Sequence, residues 1–136
     1  MPASATVRRK RVLVVDDDEP LNGSMRRKFE RLGLATEGVL TGKAALELMR
    51  REHFDGILLD LRLPREDLAV DKNGFDVLRE RATTLNAATP VFVLTSADEK
   101  DRDLARQLGA TKTFDKLSMP SPQSVAEQVT QVLTAA

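Results

Sequence analysis

Three short apolar segments restrict the folds open to this chain more than any other feature. They are VLVV at 12–15, GILL at 56–59 and VFVL at 91–94. Each is apolar throughout, whereas a strand with one face in water alternates apolar and polar residues. Continuous runs of this length are typical of strands buried on both faces of a parallel sheet. Two weaker strand candidates lie at 35–39 and 111–114.

The segments between these strands have the periodicity of amphipathic helices. Apolar residues recur there every three to four positions, with stripes at 21–32, 44–49, 75–82, 104–108 and 125–133. Strand and helix therefore alternate five times along the chain. This order predicts an α/β fold with a doubly wound, five-stranded parallel sheet, because right-handed crossovers cover both faces of the sheet with helices.

The length and charge of the chain narrow its class. Its 136 residues suit one domain, which we expect at 11–134 after a flexible lead-in at 1–10. The chain has no cysteine, which excludes disulfides and thiolate metal sites. The 21 basic and 21 acidic residues balance, which disfavours a domain built for nonspecific binding to nucleic acid or membranes. We find neither a signal peptide nor a run long enough to span a membrane, so we expect a cytoplasmic location.

Polar side chains follow the predicted strands at the point where each strand ends. Asp16 and Asp17 follow the first strong strand, Asp60 follows the second and Thr95 follows the third, while Lys116 comes after the weak last strand. The carboxyl ends of parallel strands meet at one edge of a sheet, where ligands bind in open α/β folds. We therefore expect these side chains to lie together, whereas Asp18 is expected to cap the first helix.

Clustered carboxylates repel one another, and a divalent cation removes that cost. Oxygen ligands of this kind favour Mg²⁺ over Zn²⁺. A carboxylate surrounded by a metal, a hydroxyl and a lysine also has what phosphoryl transfer requires. The carboxylate attacks phosphorus, and the positive charges neutralise the oxygens of the transferring group.

These segments resemble the receiver domain of bacterial two-component response regulators. VLVVDDDEPL, ILLDLRLP, VFVLTSA and GATKTFDK occur in the family's order and at roughly its spacing, from about Arg11 to Leu133. The resemblance implies a (βα)₅ flavodoxin-like, CheY-like fold with strand order 2-1-3-4-5. It also implies a signalling domain that catalyses only its own phosphorylation and dephosphorylation.

The same resemblance implies a role for each site residue. Asp60 would be the phosphoacceptor, Thr95 the switch hydroxyl and Lys116 the partner of the phosphoryl oxygens. A sensor histidine kinase or a histidine phosphotransfer protein would supply the phosphoryl group, and an unknown downstream protein would read the switched state. The implied ligands of Mg²⁺ are Asp16, Asp17, Asp60 and the backbone carbonyl of Arg62.

Two departures from the family pattern lie in loops beside these residues. Pro64 and Gly74 are ten positions apart, which is longer than the family's usual spacing. We expect the inserted residues, 65–73, to help select the phosphodonor. Lys116 is followed by Leu117 in place of the family's proline. A cis bond before a residue other than proline costs roughly 2.5–4 kcal/mol, so we predict a trans bond and a rearranged loop after it.

A third departure concerns the aromatic residue that follows the switch hydroxyl inward in the family. Thr113 stands at that position, and Phe114 comes one place later. Two interpretations stay open: either Phe114 substitutes for the missing ring, or the coupling between the site and the surface is altered.

Two other functions compete with phosphoryl signalling. A phosphatase of the haloacid dehalogenase class also has a nucleophilic aspartate after an apolar strand, but it needs a second acid two residues later, where this chain has Arg62. The other alternative is an unphosphorylated pseudo-receiver that acts as a protein-interaction scaffold. Labelling with a small phosphodonor would distinguish it from a working receiver.

Overall fold

The computed structural model describes residues 8–63, 73–117 and 121–135. The strands are β1 (Arg11–Val15), β2 (Ala35–Val39), β3 (Gly56–Leu59), β4 (Val91–Thr95) and β5 (Lys112–Asp115). The helices are α1 (Glu19–Arg31), α2 (Gly42–Arg51), α3 (Gly74–Glu80), α4 (Glu99–Gln107) and α5 (Pro122–Thr134), and a 3₁₀ turn at Arg81–Thr83 extends α3.

The five strands form one parallel sheet in the order β2-β1-β3-β4-β5. Both the doubly wound α/β fold and the strand order are therefore confirmed. The last strand begins at Lys112, one residue later than the apolar pattern predicts. None of the helices that the structure describes is long and apolar enough to cross a membrane.

The continuous apolar runs form the central strands, and they are buried on both faces. In β1, Leu13 and Val15 join a core with residues of α2, α3 and α4, while Val12 and Val14 join a second core with residues of α1 and α5. Successive side chains of a strand point to opposite faces, so a strand between two helical layers needs an apolar residue at every position.

Helix α1 begins at Glu19, shortly after Asp16 and Asp17 in the chain. The Asp18 side chain accepts a hydrogen bond from the backbone N–H of Leu21 at 3.1 Å, which is the cap expected from the sequence. Gly33 and Gly109, which follow α1 and α4, have positive φ angles of 95° and 108°. Glycine adopts this conformation without the steric cost that a Cβ brings, so both helices end sharply before the next strand.

Helix α3 begins against the backbone of Asp60 and Leu61, directly after the end of β3. The Gly74 N–H donates to the carbonyl of Leu61 at 3.1 Å. A Cβ at Gly74 would lie 2.5 Å from the Asp60 carbonyl oxygen and from the Leu61 Cα. Asn73 and Asp76 form a reciprocal capping box around this first turn. Only glycine allows α3 to approach the strand end that carries Asp60.

Replacing Gly74 with alanine is expected to lower the free energy of unfolding by roughly 1–3 kcal/mol, because backbone atoms on both sides must move apart. Urea denaturation measures this change. Gly23→Ala is the matched control, since its new Cβ would meet only the flexible side chains of Arg27 at 3.3 Å and Arg26 at 3.9 Å, within a helix that favours alanine. Equal stability of Gly74→Ala and the wild-type protein would contradict the close approach.

Of the two loops that depart from the family pattern, the structure describes the Lys116–Leu117 bond but little of the insertion. No cis peptide bond occurs within the described ranges, so the Lys116–Leu117 bond is trans as predicted. The Leu117 side chain is exposed, and its N–H donates to the Asp115 carboxylate at 2.9 Å. Residues 65–72 of the insertion and the loop at 118–120 lie outside the described residues, so the expectations for these two segments stay predictions.

Candidate functional site

The residues predicted to form the site meet at the carboxyl edge of the sheet. Asp60 lies at the end of β3, where its N–H donates to the Val15 carbonyl at 2.9 Å. The Lys116 N–H donates to the Thr95 carbonyl at 2.9 Å, which continues the pairing of β4 with β5. Backbone hydrogen bonds between neighbouring strands thus continue one residue past the ends of β3 and β5. They fix the backbone from which Asp60 and Lys116 extend.

Asp60 is 5% exposed, and hydrogen bonds from separate chain segments orient its carboxylate. Its Oδ1 accepts from the Thr95 hydroxyl at 2.9 Å and from the Arg62 N–H at 3.0 Å. Its Oδ2 accepts from the Lys116 ammonium at 3.1 Å. A hydroxyl, a backbone N–H and an ammonium therefore converge on one carboxylate.

Lys116 lies between two carboxylates and bonds both. Its Nζ donates to Asp16 Oδ2 at 2.9 Å and to Asp60 Oδ2 at 3.1 Å. Burial acts to lower the pKa of Lys116, but the hydrogen bond to Asp16 and the charges of both acids outweigh it and raise that pKa. The ammonium is therefore charged throughout the physiological pH range.

Asp16 is the buried member of the acidic pair. It is 4% exposed, and its Oδ1 accepts from the Asp18 N–H at 2.9 Å. Burial raises the pKa of Asp16, and the hydrogen bonds from Lys116 and Asp18 only partly offset this effect, to which the nearby Asp60 charge adds. An ionised Asp16 is thus held at a cost that a bound cation would reduce.

Asp16, Asp17 and Asp60 each offer an oxygen atom, and these atoms lie within 4.8 Å of one another. Asp17 is exposed, so water can complete the coordination of an ion held there. One ammonium offsets only one of the three carboxylate charges. The donor set therefore fits Mg²⁺, which prefers a few carboxylates and retains several waters.

The residue that anchors the Asp16 backbone was not predicted from the sequence. Asn22 is buried in the first turn of α1. Its side-chain N–H groups donate to the Asp16 and Val39 carbonyls at 3.0 Å and to the Val14 carbonyl at 3.3 Å. One amide thus joins helix α1 to the ends of β1 and β2. An asparagine next to the apolar stripe of a helix, where it is a poor helix former, was the available signal.

Gly38 makes room for this anchor. The Asn22 Oδ1 accepts from Arg26 Nε at 2.9 Å, and a Cβ at Gly38 would lie 2.5 Å from both of those atoms. A glycine inside a strand often marks the close approach of another group. Its position in β2 was a second signal that the sequence analysis did not use.

The structure separates the two interpretations of Thr113 and Phe114. Phe114 is 5% exposed and packs with Val125 and Val129 in the core beneath α1 and α5. Thr113 faces α4, where Arg106 Nη1 donates to its hydroxyl at 2.5 Å. Phe114 lies on the opposite face of the sheet from Thr113, so its ring does not occupy the missing position. The geometry therefore favours the second interpretation, in which the coupling between the site and the surface is altered.

Comparison with known proteins agrees with the fold. Residues 12–127 match the family model of the response regulator receiver domain. The response regulator MprA of Mycolicibacterium vanbaalenii is 34% identical over 95 residues, which cover 70% of this chain and 38% of that protein. The chain thus spans about two-fifths of the length of the curated relatives it matches.

Solved structures give the same result. The non-phosphorylated HemR receiver domain of Leptospira biflexa is 28% identical with a TM-score of 0.78, covering 94% of this chain and 97% of that one. A CheY-like receiver domain protein of Methanospirillum hungatei shares the fold at 24% identity, with a TM-score of 0.79 and coverage of 93% and 94%. With its parallel sheet, its acidic edge and a match over most of its length, the chain belongs to the receiver domain family of two-component response regulators.

Proposed function

We propose that this domain accepts a phosphoryl group on Asp60 in a Mg²⁺-dependent reaction and then changes conformation to signal to a partner protein. The observation that carries the proposal is the convergence of Thr95, Lys116 and the Arg62 N–H on the Asp60 carboxylate. We infer that residues 11–134 form the receiver domain. A sensor histidine kinase or a histidine phosphotransfer protein would be the donor.

In this reaction an Asp60 carboxylate oxygen attacks phosphorus, and the bond between phosphorus and the donor's histidine nitrogen breaks as an acyl phosphate forms. The nitrogen keeps the electron pair of that bond and takes up a proton. The Lys116 ammonium and the Thr95 hydroxyl, which now bond Asp60, would donate to the phosphoryl oxygens instead. Mg²⁺ held by Asp16, Asp17, Asp60 and the Arg62 carbonyl would neutralise those oxygens further.

Phosphorylation would act on a conformational equilibrium. The Thr95 hydroxyl is buried and bonds Asp60 now, so a phosphoryl group on that carboxylate would require a new position for it. Such a ligand shifts the balance between two states only by its different affinity for each. The downstream partner would bind the state that the phosphoryl group favours. The domain would catalyse no reaction other than its own phosphorylation and dephosphorylation.

Incubation with acetyl phosphate and Mg²⁺ tests this function, with intact-protein mass spectrometry as the readout. We expect an adduct of one phosphoryl group that requires Mg²⁺ and disappears on addition of EDTA before labelling. The absence of an adduct with acetyl phosphate and with phosphorylated histidine donors would instead support the unphosphorylated scaffold.

Magnesium is expected to raise the melting temperature. A ligand at ten times its dissociation constant stabilises the folded state by about 1.4 kcal/mol, or roughly 4–6 °C for a domain of this size. Asp16→Asn should remove most of that shift. The raised pKa of Asp16 means that its protonated carboxyl contributes stability that is fully present below pH 3.8 and is lost as pH rises through the folded value, so the Mg²⁺ shift should grow over the same range.

Differential scanning fluorimetry with and without Mg²⁺ provides both comparisons. Asp18→Asn is the matched control, because asparagine caps a helix as well as aspartate and the ligand set is unchanged. An undiminished Mg²⁺ response in Asp16→Asn would mean that the ion binds elsewhere.

A further inference from the structure

Arg102 lies in the first turn of α4, and its side chain points back toward the site. Its N–H donates to the Asp98 carbonyl at 3.1 Å, which fixes its place in the helix. The guanidinium Nη1 donates to the Ala97 carbonyl at 2.6 Å and lies 3.6 Å from Asp115 Oδ2. The side chain is only 18% exposed. One guanidinium therefore contacts the loop after β4 and the end of β5.

The Ala97 backbone connects Arg102 to the Thr95 hydroxyl. The Ala97 N–H donates to Thr95 Oγ1 at 3.2 Å, while the Ala97 carbonyl accepts from Arg102. Since the Thr95 oxygen accepts this bond, its own proton is directed to Asp60 Oδ1 at 2.9 Å. Arg102 thus holds the backbone segment that orients the hydroxyl.

Asp115, the second residue that Arg102 contacts, directly precedes Lys116 in the chain. Asp115 Oδ1 accepts from the Leu117 N–H at 2.9 Å, so this carboxylate links the residues on either side of Lys116. The Lys116 N–H donates to the Thr95 carbonyl, which ties the two loops to each other as well. An ion pair between Arg102 Nη1 and the other carboxylate oxygen, at 3.6 Å, steadies the backbone from which the lysine extends.

We propose that Arg102 is a positioning residue for phosphoryl transfer, which sets the Thr95 hydroxyl and the Lys116 ammonium together and connects both to helix α4. The inference rests on the proposed function. It follows that a displacement of Thr95 on phosphorylation reaches α4 through the Ala97 carbonyl and the guanidinium. Both contacts are made by the same Nη1, and arginine suits this task because its rigid, planar guanidinium carries two N–H groups on that nitrogen.

The test compares Arg102→Ala with Arg106→Ala. Arg106 lies one turn later on the same helix and contacts Thr113 and Asp103, neither of which touches Asp60. We expect Arg102→Ala to slow labelling by acetyl phosphate roughly 10-fold or more, since small displacements of catalytic groups have large effects on rate. Arg106→Ala should label at the wild-type rate, and Arg102→Lys should restore part of the loss by retaining the Ala97 contact.

A double-mutant cycle with Asp115→Asn separates positioning from general stability. If Arg102 acts partly through Asp115, the labelling rate of the double variant should be faster than the product of the single effects predicts. Backbone ¹H–¹⁵N spectra give a second readout, in which the Ala97 and Leu117 amides should shift in Arg102→Ala and stay in place in Arg106→Ala.

The outcomes distinguish this proposal from the function on which it rests. Wild-type protein that takes up no phosphoryl group would reject both. Wild-type labelling together with a normal rate in Arg102→Ala, an equal slowing in Arg106→Ala, or unshifted Ala97 and Leu117 amides would overturn the positioning role alone.

Discussion

Asp60→Asn is expected to reduce phosphoryl labelling below detection while the domain stays folded. The carboxylate is the only acidic group that receives hydrogen bonds from both Thr95 and Lys116 within the described residues. An asparagine there keeps the shape and one acceptor oxygen, but its amide is not a nucleophile toward phosphorus. Loss of the adduct would therefore come from missing chemistry and not from a missing contact.

Asp18→Asn is the matched control for this experiment. It removes a carboxylate two residues from the acidic pair and keeps the cap on α1, so labelling and melting temperature should both stay near wild type. Tandem mass spectrometry should also locate the adduct on the peptide that contains Asp60. A persistent adduct in Asp60→Asn would show that another residue accepts the phosphoryl group, and unfolding of that variant would show that Asp60 is structural.

Lys116→Met should have the second largest effect. Removing one charged donor to a transferring group typically slows a reaction by about 10²–10³-fold, and we expect a loss of that size in the labelling rate. The variant also leaves Asp16 and Asp60 without the cation between them. Loss of a partner from buried charged groups costs about 1–3 kcal/mol or more, so the melting temperature in EDTA should fall.

Magnesium should recover part of that stability in Lys116→Met, because a cation in the acidic cluster offsets the same repulsion. Lys112→Met is the control, since Lys112 begins the strand that Lys116 follows. Its ammonium donates to Gln128 and lies over the Phe114 ring, away from the site. Labelling at the wild-type rate in Lys116→Met would show that its ammonium acts on structure alone.

Most of the fold was predictable because its signals are local. A strand buried on both faces must be apolar at every position, so β1, β3 and β4 are visible in the sequence as uninterrupted runs. The last strand, KTFD, has a weaker apolar pattern than these three. It lies at the edge of the sheet with only Phe114 fully buried, and its start was misplaced by one residue.

The cluster of polar residues at the candidate site was also predictable, since the carboxyl ends of parallel strands meet at one edge. The residues that support them were not. Asn22 donates to carbonyls of β1 and β2 from within a helix, and Arg102 contacts groups five and thirteen positions away in sequence. Such contacts depend on how a helix is rotated and how deeply it packs, which no single segment specifies.

The sequence by itself determined the order of strands and helices, the buried character of the central sheet and the set of polar residues at its carboxyl edge. These features follow from the periodicity within each segment and from the order of the segments, both of which can be read directly from the sequence. Only the tertiary structure decided that Lys116 bridges Asp16 and Asp60, that Phe114 faces away from α4, and that Arg102 joins two loops of the site. Those facts depend on distances of a few ångströms between segments far apart in the chain, and packing alone sets such distances.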